Sequence, residues 1–371
     1  MSLLAEMNQK AFSLAVPISV HLDITYRCNE RCVHCYLDHD DKGEMSTAEI
    51  DDVLQQLAQA GAFFLTLSGG EVLMRRDFFR IVERARELQF NVKLKTNGVM
   101  VREPEAQRIR DLGVEQIQIS VYSHRAEIHD GITKLPGSLR RTIDAIRFLK
   151  SQGLKVTIAN VLMSGNLHDG SAVIALAKEL EVFYTVDPTI TPKMDGDRSV
   201  LNFRISSKEL KGVFRNEQLV GDVAEFCAPP SAPDEEIMDG YPCSAGHTSC
   251  YISPYGDVFP CVQFPLLCGN LRKQKFAEIW HDSPQLKEVR SIRARHLSTC
   301  SGCAHVGTCT RCPGLAYMEG DMRGPSSADC EKSFQRTGIP SANMMKRGRV
   351  TPASHLVHIQ PLARFSADSL T

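Results

Sequence analysis

The sequence predicts an α/β fold built on a parallel sheet and followed by a cysteine-rich module. Three observations predict it. Apolar strand-like runs alternate with amphipathic helical stretches from residue 18 to 190. The connections are short, which favours parallel strands joined by right-handed crossovers. Thirteen cysteines fall unevenly, three at 28–35 and ten between 227 and 330.

The elements follow in order. ISVHLDIT (18–25) reads as a strand. The helix at 47–61 places Ile50, Val53, Leu54 and Leu57 on one face and stops at Gly61. Ser46 is its expected N-cap, with Glu49 completing a capping box. A strand at 63–70 ends in glycines. Helix 77–90 leads to strand 91–98, helix 105–113 to strand 114–123, helix 138–153 to strand 154–163, and helix 171–181 to strand 182–190. These strands are apolar enough to suggest a sheet covered on both faces. An open doubly wound sheet and a partial barrel both satisfy the pattern, and both put chemistry at the C-terminal strand ends. Residues 1–17 form an N-terminal lead. Residues 18–190 are the core domain and 191–240 a Pro-, Asp- and Ser-rich linker. Residues 241–335 form the second domain, with helices at 276–282 and 283–295, and 336–371 a poorly ordered tail.

Composition narrows the function. The formal net charge is -1, so bulk charge gives no pull toward nucleic acid. No run of about 20 apolar residues is present to span a membrane. The first residues lack a basic start, apolar block and cleavage site, so the expected location is the cytoplasm. Clustered cysteines with short gaps suit metal ligation better than disulfides, and their odd number argues against a complete disulfide framework.

Cys28, Cys32 and Cys35 put three thiols in one loop after the first strand. Three ligands without a nearby fourth leave one iron of a cubane cluster open for a ligand; a zinc site completed by His34 or His39, or three ordinary core thiols, are the alternatives the loop itself allows. The motif, with Tyr36 following, resembles the signature of the radical SAM superfamily. Ser68-Gly69-Gly70-Glu71 resembles that family's Gly-Gly-Glu motif, although Val72 stands where the family usually has proline. The resemblance implies a partial (β/α)6 TIM-like barrel in which the open iron chelates S-adenosylmethionine (SAM) and Glu71 meets its amino group. Glycines permit close backbone approach, and a carboxylate pairs with an ammonium. By the same resemblance His34 packs near the adenine, while Asn97, Ser120 and Asn160 lie at strand ends that approach the cosubstrate. Lys134 replaces an arginine that often follows a His-Asp pair in related peptide-modifying enzymes, here His129-Asp130. Lysine is a point charge without the arginine fork.

The second cysteine group resembles the SPASM extension of radical SAM enzymes, which holds two auxiliary four-iron clusters. Carried over by position, one takes Cys243, Cys250, Cys261 and Cys312, and the other Cys300, Cys303, Cys309 and Cys330. The gap between Cys309 and Cys312 is one residue shorter than the family's. Cys227 and Cys268 are left over and read as structural or incidental. Two zinc sites are the alternative that the CxxC pairs themselves allow.

The resemblance implies three 4Fe-4S clusters and SAM as cofactors, with a flavodoxin- or ferredoxin-type protein as electron donor. Reductive cleavage of SAM would yield a 5′-deoxyadenosyl radical that takes hydrogen from a substrate. Relatives with this extension most often modify peptides, so a peptide or protein substrate is expected, with crosslinking or residue maturation as the outcome. No segment before residue 18 is long enough for a leader-binding domain, so a separate leader-peptide-binding protein is expected. A tetrapyrrole of the haem pathway is the alternative substrate, and a zinc-bound interaction protein the alternative class. No acid–base residue can be assigned from sequence.

Overall fold

The computed structural model describes residues 3–39 and 42–347. After helix α1 (Leu3–Ser13), the core alternates β1 (Ser19–Thr25), α2 (Thr47–Gln59), β2 (Phe64–Gly69), α3 (Phe78–Glu87), β3 (Asn91–Thr96), α4 (Glu103–Asp111), β4 (Gln116–Ser120), α5 (Ala126–Thr133), α6 (Ser138–Ser151), β5 (Lys155–Val161), α7 (Gly170–Glu179) and β6 (Phe183–Asp187). The six strands pair in parallel in chain order. Local sequence accounts for these elements. Ser46 caps α2 through its side chain, and Glu49 completes the capping box. β6 ends at Asp187, because Pro188 has no N–H to offer the ladder.

The sheet continues past β1. Strand β7 (Ser249–Ile252) pairs in parallel with β1, and β8 (Asp257–Phe259) and β9 (Gly269–Asn270) extend it antiparallel. The result is a single sheet in the order β6-β5-β4-β3-β2-β1-β7-β8-β9 with two open edges. The barrel is therefore partial, as expected, and the first strands of the cysteine-rich region form one of its walls. The seam is polar and buried. Tyr251 donates to Asp23 Oδ2 at 2.9 Å, its hydroxyl meets that of Tyr26 at 2.5 Å, and His21 Nε2 lies 3.0 Å from Asp23 Oδ1.

Only the helix-facing side of the sheet is apolar. Val20, Leu22, Leu65, Leu67, Val92, Leu94, Ile117, Ile119 and Ile158 pack into one continuous core with the surrounding helices. The alternate positions carry His21, Asp23, Lys93, Lys95, Gln116 and Gln118, which corrects the expectation of a sheet covered on both faces. In a barrel one face encloses the interior, and here that interior is a cavity of mixed lining, with Lys95, Asn97, Gln118 and Asn160 beside Tyr122, Val161 and Ile190.

The stretch expected as a linker holds four short helices, α8 (Ser207–Val213), α9 (Glu217–Val220), α10 (Val223–Phe226) and α11 (Glu235–Asp239). Leu210, Val213 and Phe214 pack there against Leu162. Beyond the sheet come α12 (Phe276–Asp282), α13 (Pro284–Ser291), α14 (Pro313–Met318), α15 (Ser327–Thr337) and α16 (Ala342–Arg347). Part of the expected tail is thus helical, since α15 runs past residue 336 and α16 follows it. Positions 348–371 lie outside the described residues. No helix among the described residues is long and apolar enough to cross a membrane.

Candidate active site

The loop after β1 carries Cys28, Cys32 and Cys35 to the C-terminal end of the barrel. Two backbone bonds pin it to the end of α5, an element that the sequence reading missed. Arg31 N donates to Thr133 O at 2.9 Å and Val33 N to Ile132 O at 3.0 Å. On the other side the loop rests on the β2 glycines. Gly70 N donates to Thr25 O at 2.8 Å and Glu71 N to Arg27 O at 2.9 Å. A Cβ on Gly70 would stand 2.3 Å from Arg27 O, and one on Gly69 2.0 Å from Thr25 O. Glycine is required because these backbones run in contact.

The three cysteines open onto a cavity of about 670 Å³ that fills the top of the barrel. His34, Gly69, Gly70, Asn97, Ser120 and Asn160 also line it, so six of the predicted contact residues meet there. His34 stands edge-on to Tyr122, ring centroids 4.7 Å apart, and burial lowers its pKa to about 4, which keeps the imidazole neutral. Asn97 Nδ2 donates to Asn29 Oδ1 at 2.7 Å and lies 3.9 Å from Cys28 Sγ. Asn160 Nδ2 donates to Val121 O at 2.7 Å.

Two predicted contacts are placed elsewhere. Glu71 is fully buried and does not line the cavity. Its carboxylate accepts from Thr96 Oγ1 at 2.8 Å, Asn97 N at 2.9 Å and Leu73 N at 3.2 Å. It therefore ties the end of β3 to the glycine turn and fixes Asn97. Lys134 is exposed in a left-handed conformation at the end of α5, outside the cavity wall.

The cavity also holds residues that the sequence reading passed over. Glu30, inside the cysteine loop, is buried, and burial raises its pKa to about 7. Lys95 and Gln118 sit side by side on the inner face, one register layer below Ser120. Burial lowers the Lys95 pKa, and its ammonium makes no hydrogen bond or ion pair among the described residues. The signal for both was present as polar residues recurring at every second position of apolar strands.

The site fits an iron–sulfur cluster and a polar cosubstrate. Burial pushes the Cys28 thiol up to about 12 and also raises Cys32 and Cys35. Such thiols ionise when a bound cation compensates the charge. Glu30 Oε1, His34 Nδ1 and Asn160 Oδ1 are buried without partners around the cavity, which leaves polar atoms for a ligand to satisfy.

The second cysteine group divides in two. Cys243 and Cys261 pack with Phe264. Cys312 joins them through Gln263, its Sγ 3.8 Å from Oε1, because Gly314 seats α14 against the Gln263 backbone. Cys250 points away. It follows the strand alternation opposite Tyr251 and shares the main core with Cys268 and Trp280. Cys300, Cys303, Cys309 and Cys330 lie near enough to act on one another electrostatically. Among the described residues, no three His, Cys, Asp or Glu side chains close on the position of a single metal ion.

A half-open α/β barrel with a three-thiol loop at its catalytic end, joined to a cysteine-rich extension, defines a class of iron–sulfur, SAM-dependent proteins. Residues 22–172 match the Radical SAM superfamily and residues 243–304 the Iron-sulfur cluster-binding domain known as SPASM, and the chain belongs to the radical SAM superfamily. It is 29% identical over 328 residues to the AdoMet-dependent heme synthase of Methanosarcina barkeri, covering 81% of this chain and 92% of that one. It is 25% identical over 369 residues to the mycofactocin maturase of Mycobacterium ulcerans, covering 93% and 96%. Its fold is similar to that of Streptococcus suis SuiB bound to the precursor peptide SuiA, with TM-score 0.71, 17% identity, and coverage of 87% and 78%.

Proposed function

We propose that the protein modifies a peptide or protein by hydrogen abstraction. Cys28, Cys32 and Cys35 hold the cluster that binds SAM. Cys243, Cys261 and Cys312, with Cys250 as the fourth by motif, hold one auxiliary cluster. Cys300, Cys303, Cys309 and Cys330 hold the other. A cluster held at Cys28, Cys32 and Cys35 would supply an electron for the reductive cleavage of SAM. The chain's own residues position the reactants and exclude water. Gly69 and Gly70 set the loop height, Glu71 braces Asn97, and His34 with Tyr122 forms an apolar wall. Asn160 Oδ1 and Ser120 offer polar contacts at the rim.

The observation that carries the peptide reading is the edge of the sheet. β6 pairs only with β5 among the described residues, its outer side is exposed, and Thr185, Val186 and Asp187 line the same cavity as the cysteines. An extended peptide added to that edge would run past the reactive end of the barrel with its backbone satisfied. The unpaired Lys95 ammonium offers a carboxylate partner deeper inside, which also suits a tetrapyrrole substrate. This second reading gains weight from the similarity to the heme synthase. A flavodoxin- or ferredoxin-type donor and a separate leader-binding protein complete the proposal.

The test is anaerobic incubation of the reconstituted protein with SAM, a reductant, and either a candidate peptide encoded beside its gene or a porphyrin. Mass spectrometry of the peptide should show a loss of hydrogen with release of 5′-deoxyadenosine. Turnover of the porphyrin alone would replace the peptide reading. Zinc without sulfide in anaerobically purified protein would overturn both.

A further inference from the structure

Two lysines line the cavity, Lys95 and Lys193. Lys193 is paired, its Nζ 2.7 Å from Asp197 Oδ2. Lys95 makes no hydrogen bond or ion pair among the described residues. The carboxylates around it are committed elsewhere. Asp23 lies in the same layer of the sheet, two strands away, since Asp23 pairs with Ser68 and the β2–β3 register that sets Leu67 beside Leu94 brings Ser68 beside Lys95. Both Asp23 oxygens are taken, Oδ1 by His21 Nε2 at 3.0 Å and Oδ2 by the Tyr251 hydroxyl at 2.9 Å. Glu30 Oε2 accepts from Cys32 Sγ at 3.4 Å, and Asp187 Oδ1 from Thr189 N at 2.8 Å.

Gln118 stands next to Lys95 on the neighbouring strand, the two being register partners. Its Nε2 donates to Thr185 Oγ1 at 3.4 Å, and an amide nitrogen carries a second N–H. Ammonium and amide can therefore donate to one carboxylate. A half-buried ammonium without a partner carries a desolvation cost that an arriving anion offsets, and the resulting charge-assisted bond is a strong one. A basic group in the same place would meet two like charges, because Lys93 lies two residues earlier on the same face of β3. Val262 and Gln263, which follow Cys261, line this cavity as well. A ligand held at Lys95 thus shares its chamber with both cysteine groups.

We propose that Lys95 and Gln118 form a subsite that grips a carboxylate of the substrate, so that the protein selects acidic substrates and rejects basic ones at this point. The carboxylate belongs to an acidic side chain or a free C-terminus if the substrate is a peptide, and to a propionate if it is a tetrapyrrole. This rests on the reading of the cavity as the substrate chamber.

The experiment uses the full chain, reconstituted anaerobically with iron and sulfide and loaded with SAM, without reductant. One probe is a pool of short acetylated peptides of random sequence, half ending in a carboxylate and half in an amide. The others are mesoporphyrin IX and its dimethyl ester. The unmodified chain should retain peptides bearing Asp, Glu or a free C-terminus about tenfold over neutral ones, the share of one hydrogen bond to a charged group. The amide half separates side-chain from terminal carboxylates. Lys95→Gln and Lys95→Met should both abolish that preference, and Gln118→Leu should weaken it. The urea midpoint of the two Lys95 variants should not fall, because the charge removed has no partner. Retention of mesoporphyrin IX but not its ester, lost in both Lys95 variants and without any peptide retained, would keep the subsite and remove the peptide as its source. Peptides retained with the same acidic preference by the unmodified chain and both Lys95 variants, or with none by any of them, would overturn the subsite and leave the peptide reading standing. A lowered midpoint in both Lys95 variants would mark a structural charge and overturn it too. A chain that retains no probe would remove the substrate reading, and this assignment with it.

Discussion

Gly70→Ala tests whether the spacing between the β2 turn and the cysteine loop governs the site. Gly70 does not have a positive φ, so alanine suits its backbone and the penalty is one of contact. The new methyl would lie 2.3 Å from Arg27 O and 2.7 Å from Tyr26 O. Restoring an ordinary contact near 3.4 Å moves this backbone by about 1 Å, and Cys28 is the next residue. The same movement stretches the 2.9 Å bond from Glu71 N to Arg27 O. Overpacking costs about 1–3 kcal/mol, and the weakened hydrogen bond adds about 1 kcal/mol. A protein of this size tolerates that loss, but the site does not, since a misplacement of about 1 Å costs on the order of 10²-fold in rate. The assay is iron and sulfide content with 5′-deoxyadenosine release. Reconstituted Gly70→Ala should lose about four of roughly twelve irons, the share of one four-iron cluster among the three proposed, and SAM cleavage should fall about 10²-fold. Gly131→Ala is the control, because its methyl meets nothing within 4 Å and it sits inside α5. There alanine should stabilise by about 0.5–1 kcal/mol. Full iron content with cleavage within threefold of the unmodified protein would refute the reasoning for Gly70.

Other perturbations reach the frame around the site. Tyr251→Phe removes the donor to Asp23 at the seam between β1 and β7 and should cost about 1–3 kcal/mol; a urea midpoint equal to that of the unmodified protein would show that this contact does not hold the seam. His247 packs against the rings of Phe12 and Tyr241, which also touch each other, and burial lowers its pKa from 6.5 to about 4. The unfolded chain binds the proton first, so this contribution is present above pH 6.5 and is lost as pH falls toward about 4. His247→Gln should therefore flatten the decline in urea midpoint between pH 7 and pH 5, and an unchanged slope would contradict the assignment.

Much of the fold was legible in local pattern. The helix at α2 follows from Ile50, Val53, Leu54, Leu57 and the Ser46–Glu49 cap, all of them neighbours in sequence. Cys28, Cys32 and Cys35 were readable for the same reason, since ligands within one loop need no knowledge of distant partners. α5 was missed because Ala126–Thr133 is only eight residues long and includes Gly131. Its use lies in the carbonyls of Ile132 and Thr133, which every residue type carries.

The sequence by itself determined the strand–helix alternation, the two cysteine groups and the glycines at the turn after β2. These are properties of neighbouring residues, decided by side-chain period, spacing and backbone freedom. Tertiary structure alone decided that β7 joins β1, that Cys250 turns to the core while Cys261 and Cys312 gather, and that Glu71 braces Asn97. It also decided that Lys134 stays outside while Lys95 faces in. Each depends on which surface a segment presents to chain far away in sequence, and a shift of one residue in strand register reverses that choice.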